Sequence, residues 1–261
     1  MSAADSSQSR FVELVARAER VLAFTGAGVS TASNIPDFRG PDGVWRTRTP
    51  VEYPDFMRSE AARIDYWAWK LEAYPRFRDA RPNAAHRALV TLEQRGKLEA
   101  LVTQNVDGLH AAAGTSKQKL IELHGTNSEA VCVDCNARES IARCMEHFSA
   151  TGEPPRCTRC EGIMKPGVIM FGQVLEPDDL RRAKRAAERA DLVLALGSSL
   201  VVTPAADVPL VAVRRGVPYV IVNRGATPHD GLATLRFDAD VSELLPLVLG
   251  QGIPKGPVSL Q

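Results

Sequence analysis

Short apolar stretches alternate with helical patterns along most of the chain. Runs of four to six apolar and β-branched residues cover 21–25, 98–103, 168–171, 192–196 and 217–222. Helical spacing of apolar positions covers 11–20, 83–95, 177–189 and 205–215. Because continuous apolar runs are typical of strands buried on both faces, this alternation predicts parallel strands joined by crossover helices. The expected fold class is α/β, with a doubly wound, Rossmann-like parallel sheet.

Two stretches break the alternation. Residues 36–81 are rich in Pro, Arg, Trp and Tyr, and residues 126–166 contain all five cysteines. We expect a core of approximately 8–35, 82–125 and 167–250, and a smaller inserted module made of 36–81 (helical) and 126–166 (zinc-binding). In this arrangement one catalytic domain spans 1–261, with a cleft between the core and the module where α/β proteins bind ligands.

The charges are nearly balanced. Lys plus Arg is 32 against 31 for Asp plus Glu, so the net charge of +1 gives no electrostatic reason to expect a nucleic-acid or membrane partner. The first ten residues lack the apolar segment of a secretory signal, and no apolar run reaches the length of a membrane span. We expect a cytoplasmic monomer.

Two glycines follow the first predicted strand. Gly26 and Gly28 permit a tight turn and the approach of a pyrophosphate to backbone N–H groups at the start of a helix. The third glycine of the dinucleotide fingerprint is missing, because Thr31 stands there. Glycines required only by the backbone geometry of the turn explain the pattern equally well.

Four of the cysteines form two C-x₂-C knuckles, Cys132 with Cys135 and Cys157 with Cys160. Four thiolates suit a closed tetrahedral zinc site, so we expect one structural Zn²⁺ that stabilises the module. A zinc ribbon that binds nucleic acid is disfavoured, because the interval between the knuckles is neither basic nor aromatic. Cys144 lies outside both knuckles.

Polar residues cluster where predicted strands end. Gln104, Asn105 and Asp107 follow the strand 98–103, and His124 follows the apolar stretch LIEL. Histidine titrates near neutral pH and can remove a proton from a ribose hydroxyl, although a lone histidine is more often structural. The small polar sequence Gly197–Ser198–Ser199 and then Asn223 follow two later strands, where they could hold phosphate and ribose oxygens or simply form turns.

Taken in order, eight motifs resemble the sirtuin family: GAGVSTASNIPDFRG, PNAAHRAL, TQNVDGLH, ELHG, the paired knuckles, KPGVIMFG, GSSLVVTPA and IVN. The resemblance spans nearly the whole chain. The segment DYWAWKLEAYPRF is closest to class II, the mitochondrial-type members. Asn34 stands where the family usually has glycine.

The resemblance implies NAD-dependent removal of acyl groups from protein lysines, with release of nicotinamide and O-acyl-ADP-ribose. Mono-ADP-ribosyl transfer to protein from the same NAD site is the alternative within the family. Two rivals come from other classes. An NAD-linked dehydrogenase would produce reduced cofactor, and a pure reader of acyl-lysine would need no base at position 124.

The resemblance also implies the site residues. The expected catalytic residues are His124, as the general base, and Asn105 and Asp107, around the nicotinamide ribose and the nicotinamide pocket. The expected NAD-binding residues are Gly26, Ala27, Gly28, Ser30, Asp37, Phe38, Arg39, Gln104, Asn105, Asp107, Gly197, Ser198, Ser199, Asn223, Arg224, Gly225 and Val241. The residues expected to bind an acylated-lysine protein or peptide are Val168, Met170, Phe171, Gly172, Trp67 and Lys70.

Trp67 and Lys70 stand near the position of the Tyr-x-x-Arg clamp of desuccinylases, which is absent as such. We therefore expect a preference for acyl groups other than succinyl, or weak deacetylation. Lys70 could still pair with an acidic acyl chain. Alternatively, both residues only cover the surface of the module.

Overall fold

The computed structural model describes residues 3–38, 40 and 43–251. The helices in this part of the chain are α1 (Ala3–Arg17), α2 (Tyr53–Arg58), α3 (Glu60–Asp79), α4 (Ala84–Gln94), α5 (Leu109–Ala113), α6 (Ile141–Thr151), α7 (Pro177–Arg189), α8 (Asp207–Val213) and α9 (Val241–Gln251). The strands are β1 (Val21–Thr25), β2 (Leu98–Thr103), β3 (Leu120–Glu122), β4 (Gly125–Cys132), β5 (Arg138–Ser140), β6 (Met164–Val168), β7 (Leu192–Leu196), β8 (Tyr219–Val222) and β9 (Leu235–Phe237).

A six-stranded sheet in the order β3-β2-β1-β7-β8-β9 forms the core, and every neighbouring pair in it is parallel. The strand order reverses between β1 and β7. At such a switch point the connections leave toward opposite faces of the sheet, which opens a crevice at the carboxyl ends of the strands. This is the predicted doubly wound, Rossmann-like fold.

Strand β1 shows why its sequence is apolar throughout. Val21 and Ala23 belong to the apolar cluster on the face that carries α1, α4 and α9. Leu22 and Phe24 point to the other face and pack with residues of α7 and α8. Since successive side chains of a strand point to opposite faces, a strand covered on both sides needs an uninterrupted apolar run.

The turns that follow β1 and β7 are packed directly against each other. Gly26 N donates to Leu196 O at 3.0 Å, and Gly28 N donates to Gly197 O at 2.8 Å. A Cβ atom on Gly28 would lie 2.8 Å from the Cα atom of Gly197, and a Cβ atom on Gly197 would lie 2.5 Å from the backbone nitrogen of Val29. Only glycine fits on either side of this contact.

The predicted strand 168–171 is wrong in extent, and the strand found there does not belong to the parallel sheet. The strand there is β6, which ends at Val168 and belongs to an antiparallel sheet of order β5-β4-β6. Beyond it, Ile169 N donates to His124 O at 2.8 Å and the chain leaves the sheet. Met170 is buried in an apolar cluster that also contains Phe56, Trp67 and Met164. Its apolar side chain therefore reflects packing and not strand pairing.

That smaller apolar cluster joins the two stretches that break the βα alternation. Phe56 and Trp67, from α2 and α3, pack with Ala130, Met145 and Met164 from β4, α6 and β6. We call the residues 36–81 and 126–166 the small module. Within the described residues, no helix is both long enough and apolar enough to cross a bilayer.

Some helix boundaries also differ from prediction. Helix α1 begins at Ala3 and not near residue 11, and α8 is shorter than the predicted 205–215. The polar first turns of α1 carry no apolar periodicity, so the pattern could not indicate them.

The contact between the two turns predicts unequal costs for two glycine substitutions. Gly197 and Gly216 both have left-handed backbone, with φ of +58° and +79°, but a Cβ atom on Gly216 meets nothing within 4 Å. Gly216→Ala should therefore lower the free energy of unfolding by only about 1–2 kcal/mol, the cost of left-handed backbone. Gly197→Ala should lose roughly 1–3 kcal/mol more because its Cβ atom displaces backbone.

Urea unfolding of the two variants and the parent chain measures the difference. Equal losses in the two variants would show that the turns are not tightly packed together.

Candidate active site

A cleft of about 1390 Å³ lies at the carboxyl ends of the central strands, bordered by the small module. The predicted site residues on its wall are Gly26, Ala27, Gly28, Asp37, Phe38, Lys70, Gln104, Asn105, His124, Val168, Met170, Phe171, Gly172, Gly197, Ser198, Ser199, Asn223, Arg224, Gly225 and Val241. Three others, Ser30, Trp67 and Asp107, are not on the wall. Arg39 lies outside the described residues.

The glycine turn differs from the expected phosphate-binding helix start. Two short 3-10 helices, Ala27–Val29 and Thr31–Ser33, follow β1 in place of an α-helix. The N–H groups of Gly26 and Gly28 are already bound to carbonyl oxygens of the β7 segment. The glycines are thus explained by close packing of two turns. Asn34 ends the second 3-10 helix with φ of +63°, a conformation that asparagine tolerates better than most residues.

A buried polar network lies directly behind this turn. Asn105 Nδ2 donates to Gly26 O and to Ser30 Oγ, both at 3.1 Å. Ser30 Oγ in turn donates to Asp107 Oδ2 at 2.7 Å, and Leu109 N donates to Asp107 Oδ1 at 2.9 Å. Burial raises the pKa of Asp107, while these two hydrogen bonds act against the rise. Ser30 and Asp107 therefore support Asn105 from behind the wall.

His124 lies on the cleft wall with a defined ring orientation. Its Nδ1 is 3.0 Å from Gln104 O, and a carbonyl oxygen can only accept, so Nδ1 carries the proton and Nε2 is the basic nitrogen. The side chain of Gln104 spans to the β7 turn, where its Nε2 donates to Ser198 Oγ at 2.8 Å. One residue thus connects the histidine to the turn after β7.

The other end of the cleft is built on the turn after β8. Asn223 is nearly buried, and its Nδ2 donates to Arg224 O at 2.9 Å and to Gly225 O at 3.1 Å. Arg224 extends to Asp240 with a 3.0 Å ion pair, and Val241 adds an apolar surface. The Asn223 side chain thus stabilises the loop that borders this part of the cleft.

The segment after β6 crosses the cleft without regular strand pairing. Tyr53 N donates to Phe171 O at 2.8 Å, and Gln173 N donates to Met170 O at 3.0 Å. Gly172 has φ of +79° at the turn. Several backbone groups of the segment are thus satisfied within the chain, which leaves fewer for pairing with a peptide than a free strand edge would offer.

The structure separates the two residues expected near the acyl group. Trp67 is fully buried in the apolar cluster of the small module and does not line the cleft. Lys70 is on the cleft wall, together with Tyr66 and Trp69, which the sequence analysis missed. On a helix the positions i, i+3 and i+4 share one face, so these three residues lie together on the cleft side of α3.

Lys70 is buried with little compensation for its charge. Its Nζ donates to Asn127 Oδ1 at 2.7 Å and lies 5.5 Å and 5.0 Å from the ring centroids of Tyr66 and Trp69. Burial, with a smaller contribution from the charge of Lys165, lowers the pKa of Lys70 to about 7. The charged form of Lys70 is therefore less favoured near neutral pH than that of an exposed lysine.

The four knuckle cysteines meet as a metal site requires. Their Sγ atoms all lie within 4.8 Å of one another, with 3.5 Å between Cys132 and Cys160 and 3.7 Å between Cys135 and Cys157. Tetrahedral zinc with Zn–S bonds of about 2.3 Å places sulfur atoms about 3.7 Å apart. The donor set fits zinc, and none of the four residues lies on the cleft wall.

Cys144 does not join the cluster. It is buried in the small module, and burial raises the pKa of its thiol to about 11. It packs as a small apolar side chain.

Relatives of known description match the chain over most of its length. An NAD-dependent protein deacetylase of Rhodopseudomonas palustris is 40% identical over 233 residues, covering 89% of this chain and 92% of the relative. One of Thermotoga maritima is 39% identical over 243 residues, covering 93% and 97%.

Solved structures agree with the sequence comparison. A structure described as "Sir2-p53 peptide-NAD+" superposes with a TM-score of 0.86 at 38% identity, covering 94% of this chain and 98% of the other. One described as "Sir2 bound to acetylated peptide" gives 0.84 at 36% identity with the same coverage. The profile described as "Sir2 family" matches residues 26–204. This chain belongs to the Sir2 family.

Proposed function

We propose that this chain removes acyl groups from lysine side chains of proteins, with NAD as a co-substrate that is consumed. The products are the free lysine, nicotinamide and O-acyl-ADP-ribose. The observation that carries the proposal is that His124 and the glycine turn line one cleft. The relatives named above are NAD-dependent deacetylases, which supports the same reaction.

The cleft fits a dinucleotide beside a lysine side chain. Its volume of about 1390 Å³ exceeds the roughly 300–1,000 Å³ of a typical pocket for one small ligand. We assign the adenosine end to Asn223, Arg224, Gly225 and Val241, with Gly197, Ser198 and Ser199 near the phosphates. We assign the nicotinamide end to Gln104 and Asn105. Asp37 and Phe38 border the cleft on the side of the small module.

His124 is the proposed general base. With Nδ1 donating to Gln104 O, its Nε2 can accept a proton from a ribose hydroxyl. Bound NAD supplies an electrophilic ribose carbon as nicotinamide leaves. Asn105 orients groups at that end, and Asp107 with Ser30 fixes the asparagine from behind. Phe38 and Phe171 supply apolar surface that limits access of water.

The substrate is a protein or peptide with an acylated lysine, held along Val168, Met170, Phe171 and Gly172. Backbone contacts along this segment favour modest sequence selectivity. The structures similar to this chain include acetylated and propionylated peptides, which supports small neutral acyl groups.

The wider arrangement is part of the same proposal. We propose that the small module and the core, with the bounds expected from the sequence, act as the two walls of one active site. The net charge of +1 supports a protein partner without nucleic acid. We propose a monomer that acts in the cytoplasm.

Replacing the proposed base tests the reaction. His124→Ala should retain NAD affinity and lose deacylation by roughly 10²- to 10⁴-fold, since only the proton transfer is removed. His147→Ala, which changes an exposed histidine of α6, is the matched control and should keep full activity. NAD titration by calorimetry and mass spectrometry of the products from acyl-lysine peptides measure the two quantities.

The product masses also separate the alternatives. O-acyl-ADP-ribose with free lysine supports the proposal, whereas a peptide heavier by one ADP-ribosyl group indicates mono-ADP-ribosyl transfer. Full deacylation by His124→Ala would contradict the assigned base.

The cysteine cluster should hold one zinc ion per chain and stabilise the small module. Cys157→Ser should lose the metal and lower the thermal midpoint, because the binding free energy of such a site is also folding free energy. Cys144→Ala removes a cysteine outside the cluster and should keep the metal. Atomic emission of the purified chains gives the zinc content. A zinc-free parent chain with an unchanged midpoint would refute the structural role.

Lys70 should make acyl selectivity depend on pH. Acetyl-lysine should be the better substrate, but the ratio of kcat/KM for succinyl- to acetyl-lysine peptides should rise as pH falls through about 7, because Lys70 is then protonated. Effects of pH that are common to both substrates cancel in the ratio.

Lys70→Met supplies the control, with a ratio that stays flat between pH 6 and 8.5. A flat ratio in the parent chain would remove Lys70 from acyl recognition. Succinyl-lysine as the best substrate at all pH values would overturn the preference for neutral acyl groups.

A further inference from the structure

Two histidines that the proposed mechanism does not use lie together behind the glycine turn. His86 of α4 and His110 of α5 are 0% and 2% exposed, and their ring centroids are 4.7 Å apart. Neither residue lines the cleft. Both belong to motifs of the sequence, PNAAHRAL and TQNVDGLH, that the site described above explains only in part.

His110 connects α5 to the end of β1. Its Nε2 lies 3.0 Å from Oγ1 of Thr25, a fully buried residue that immediately precedes Gly26. Three residues before His110 lies Asp107, which accepts the N–H of Leu109 and so belongs to the start of the same helix. The hydrogen bond between Thr25 and His110 therefore fixes the distance between the glycine turn and Asp107.

His86 holds the same turn through a second route. Asn83 N donates to His86 Nδ1 at 3.3 Å. The Asn83 side chain donates from Nδ2 to Val29 O at 2.8 Å and to Ser33 Oγ at 3.0 Å. Asn83 is the N-cap residue of α4. His86 therefore helps to fix the position of Asn83, whose side chain binds the two 3-10 helices after Gly26.

Imidazole rings at these two buried positions lower the stability of the fold. Within the described chain, His86 Nε2 and His110 Nδ1 are buried without a hydrogen-bond partner, and such a nitrogen lowers stability. Burial lowers the pKa of His86 to about 4 and also lowers the pKa of His110 well below its usual value, so both rings are neutral near pH 7. A role in packing alone would be served better by an apolar side chain.

We propose that His110 and His86 are positioning residues for the NAD reaction. They fix the position of the end of β1 and of the turn after it relative to Asn105, Ser30 and Asp107. This relative position sets the geometry at the nicotinamide ribose. The inference rests on the proposed function, because the geometry matters only if NAD reacts in this cleft.

Removing the directional bond to Thr25 tests the role of His110. Thr25→Val keeps the shape of the side chain and deletes only the hydroxyl, and His110→Leu deletes the ring nitrogens. Each should lower kcat/KM for NAD by about 10- to 100-fold, the size of effect that small misplacements produce, and leave the KM for the acyl peptide unchanged. The double variant should lose no more than either single variant.

His110→Gln should restore most of the activity, because its terminal amide can reach the Thr25 hydroxyl. His86→Leu, which removes the acceptor for Asn83 N, should lower kcat/KM for NAD in the same way.

His229 provides a matched control. It is also a buried histidine bound to a buried hydroxyl, with Nδ1 at 3.1 Å from Tyr219 OH, but neither residue lines the cleft. His229→Leu should lower thermal stability and leave the kinetic constants unchanged. If Thr25→Val and His110→Leu behave like His229→Leu, with loss of stability alone, the positioning role is wrong.

NAD titration separates this inference from the proposed function. A parent chain that binds NAD without deacylating peptides contradicts the proposed function, and a weaker NAD affinity of Thr25→Val relative to His229→Leu would then still support the positioning role. Equal NAD affinities would overturn it. A parent chain that binds no NAD overturns both.

Discussion

The close packing of the turn after β1 against the turn after β7 is the constraint on which the site depends. A side chain at Gly26, Gly28 or Gly197 would collide with backbone atoms or with Ser198. The two turns can therefore pack this closely only because glycine occupies these positions. This approach occurs at the switch point of the sheet, where the flanking connections diverge and leave the cleft. The N–H groups of Gly26 and Gly28 donate to carbonyl oxygens of the β7 segment. The two glycines therefore contribute to the shape of the site and do not supply these N–H groups to a ligand.

A consequence is that the site has two layers. Asn105 and His124 face the cleft, while Ser30 and Asp107 lie one layer deeper and hold the wall through short hydrogen bonds. Burial raises the pKa of Asp107, and the N–H of Leu109 and the hydroxyl of Ser30 favour its ionised form. Because buried polar groups are costly unless they are satisfied, such a network permits few arrangements and keeps the wall rigid.

The sequence predicted the core strands well because their environment is simple. Strands β1, β2 and β7 are covered on both faces, so runs that are apolar except for Glu99 and the terminal threonines mark their bounds. Strand β6 has no such run, since Lys165 and Pro166 lie within it and its position is set by pairing with β4. The residues that directly follow core strands, Gln104 among them, were found for the same reason: the carboxyl ends of parallel strands meet at one edge.

Helix α3, which borders the cleft, shows where prediction from the sequence fails. Tyr66, Trp69 and Lys70 share a face toward the cleft, whereas Trp67 is turned by about 100° into the module. Apolar residues occur all round α3, so no periodicity reveals which tryptophan faces inward. Trp67 is buried in the same apolar cluster as Met145 and Met164, which are distant in sequence, and this burial fixes the rotation of the helix. Which side chains of α3 line the cleft thus follows from packing on the opposite side of the helix, which a local motif cannot indicate.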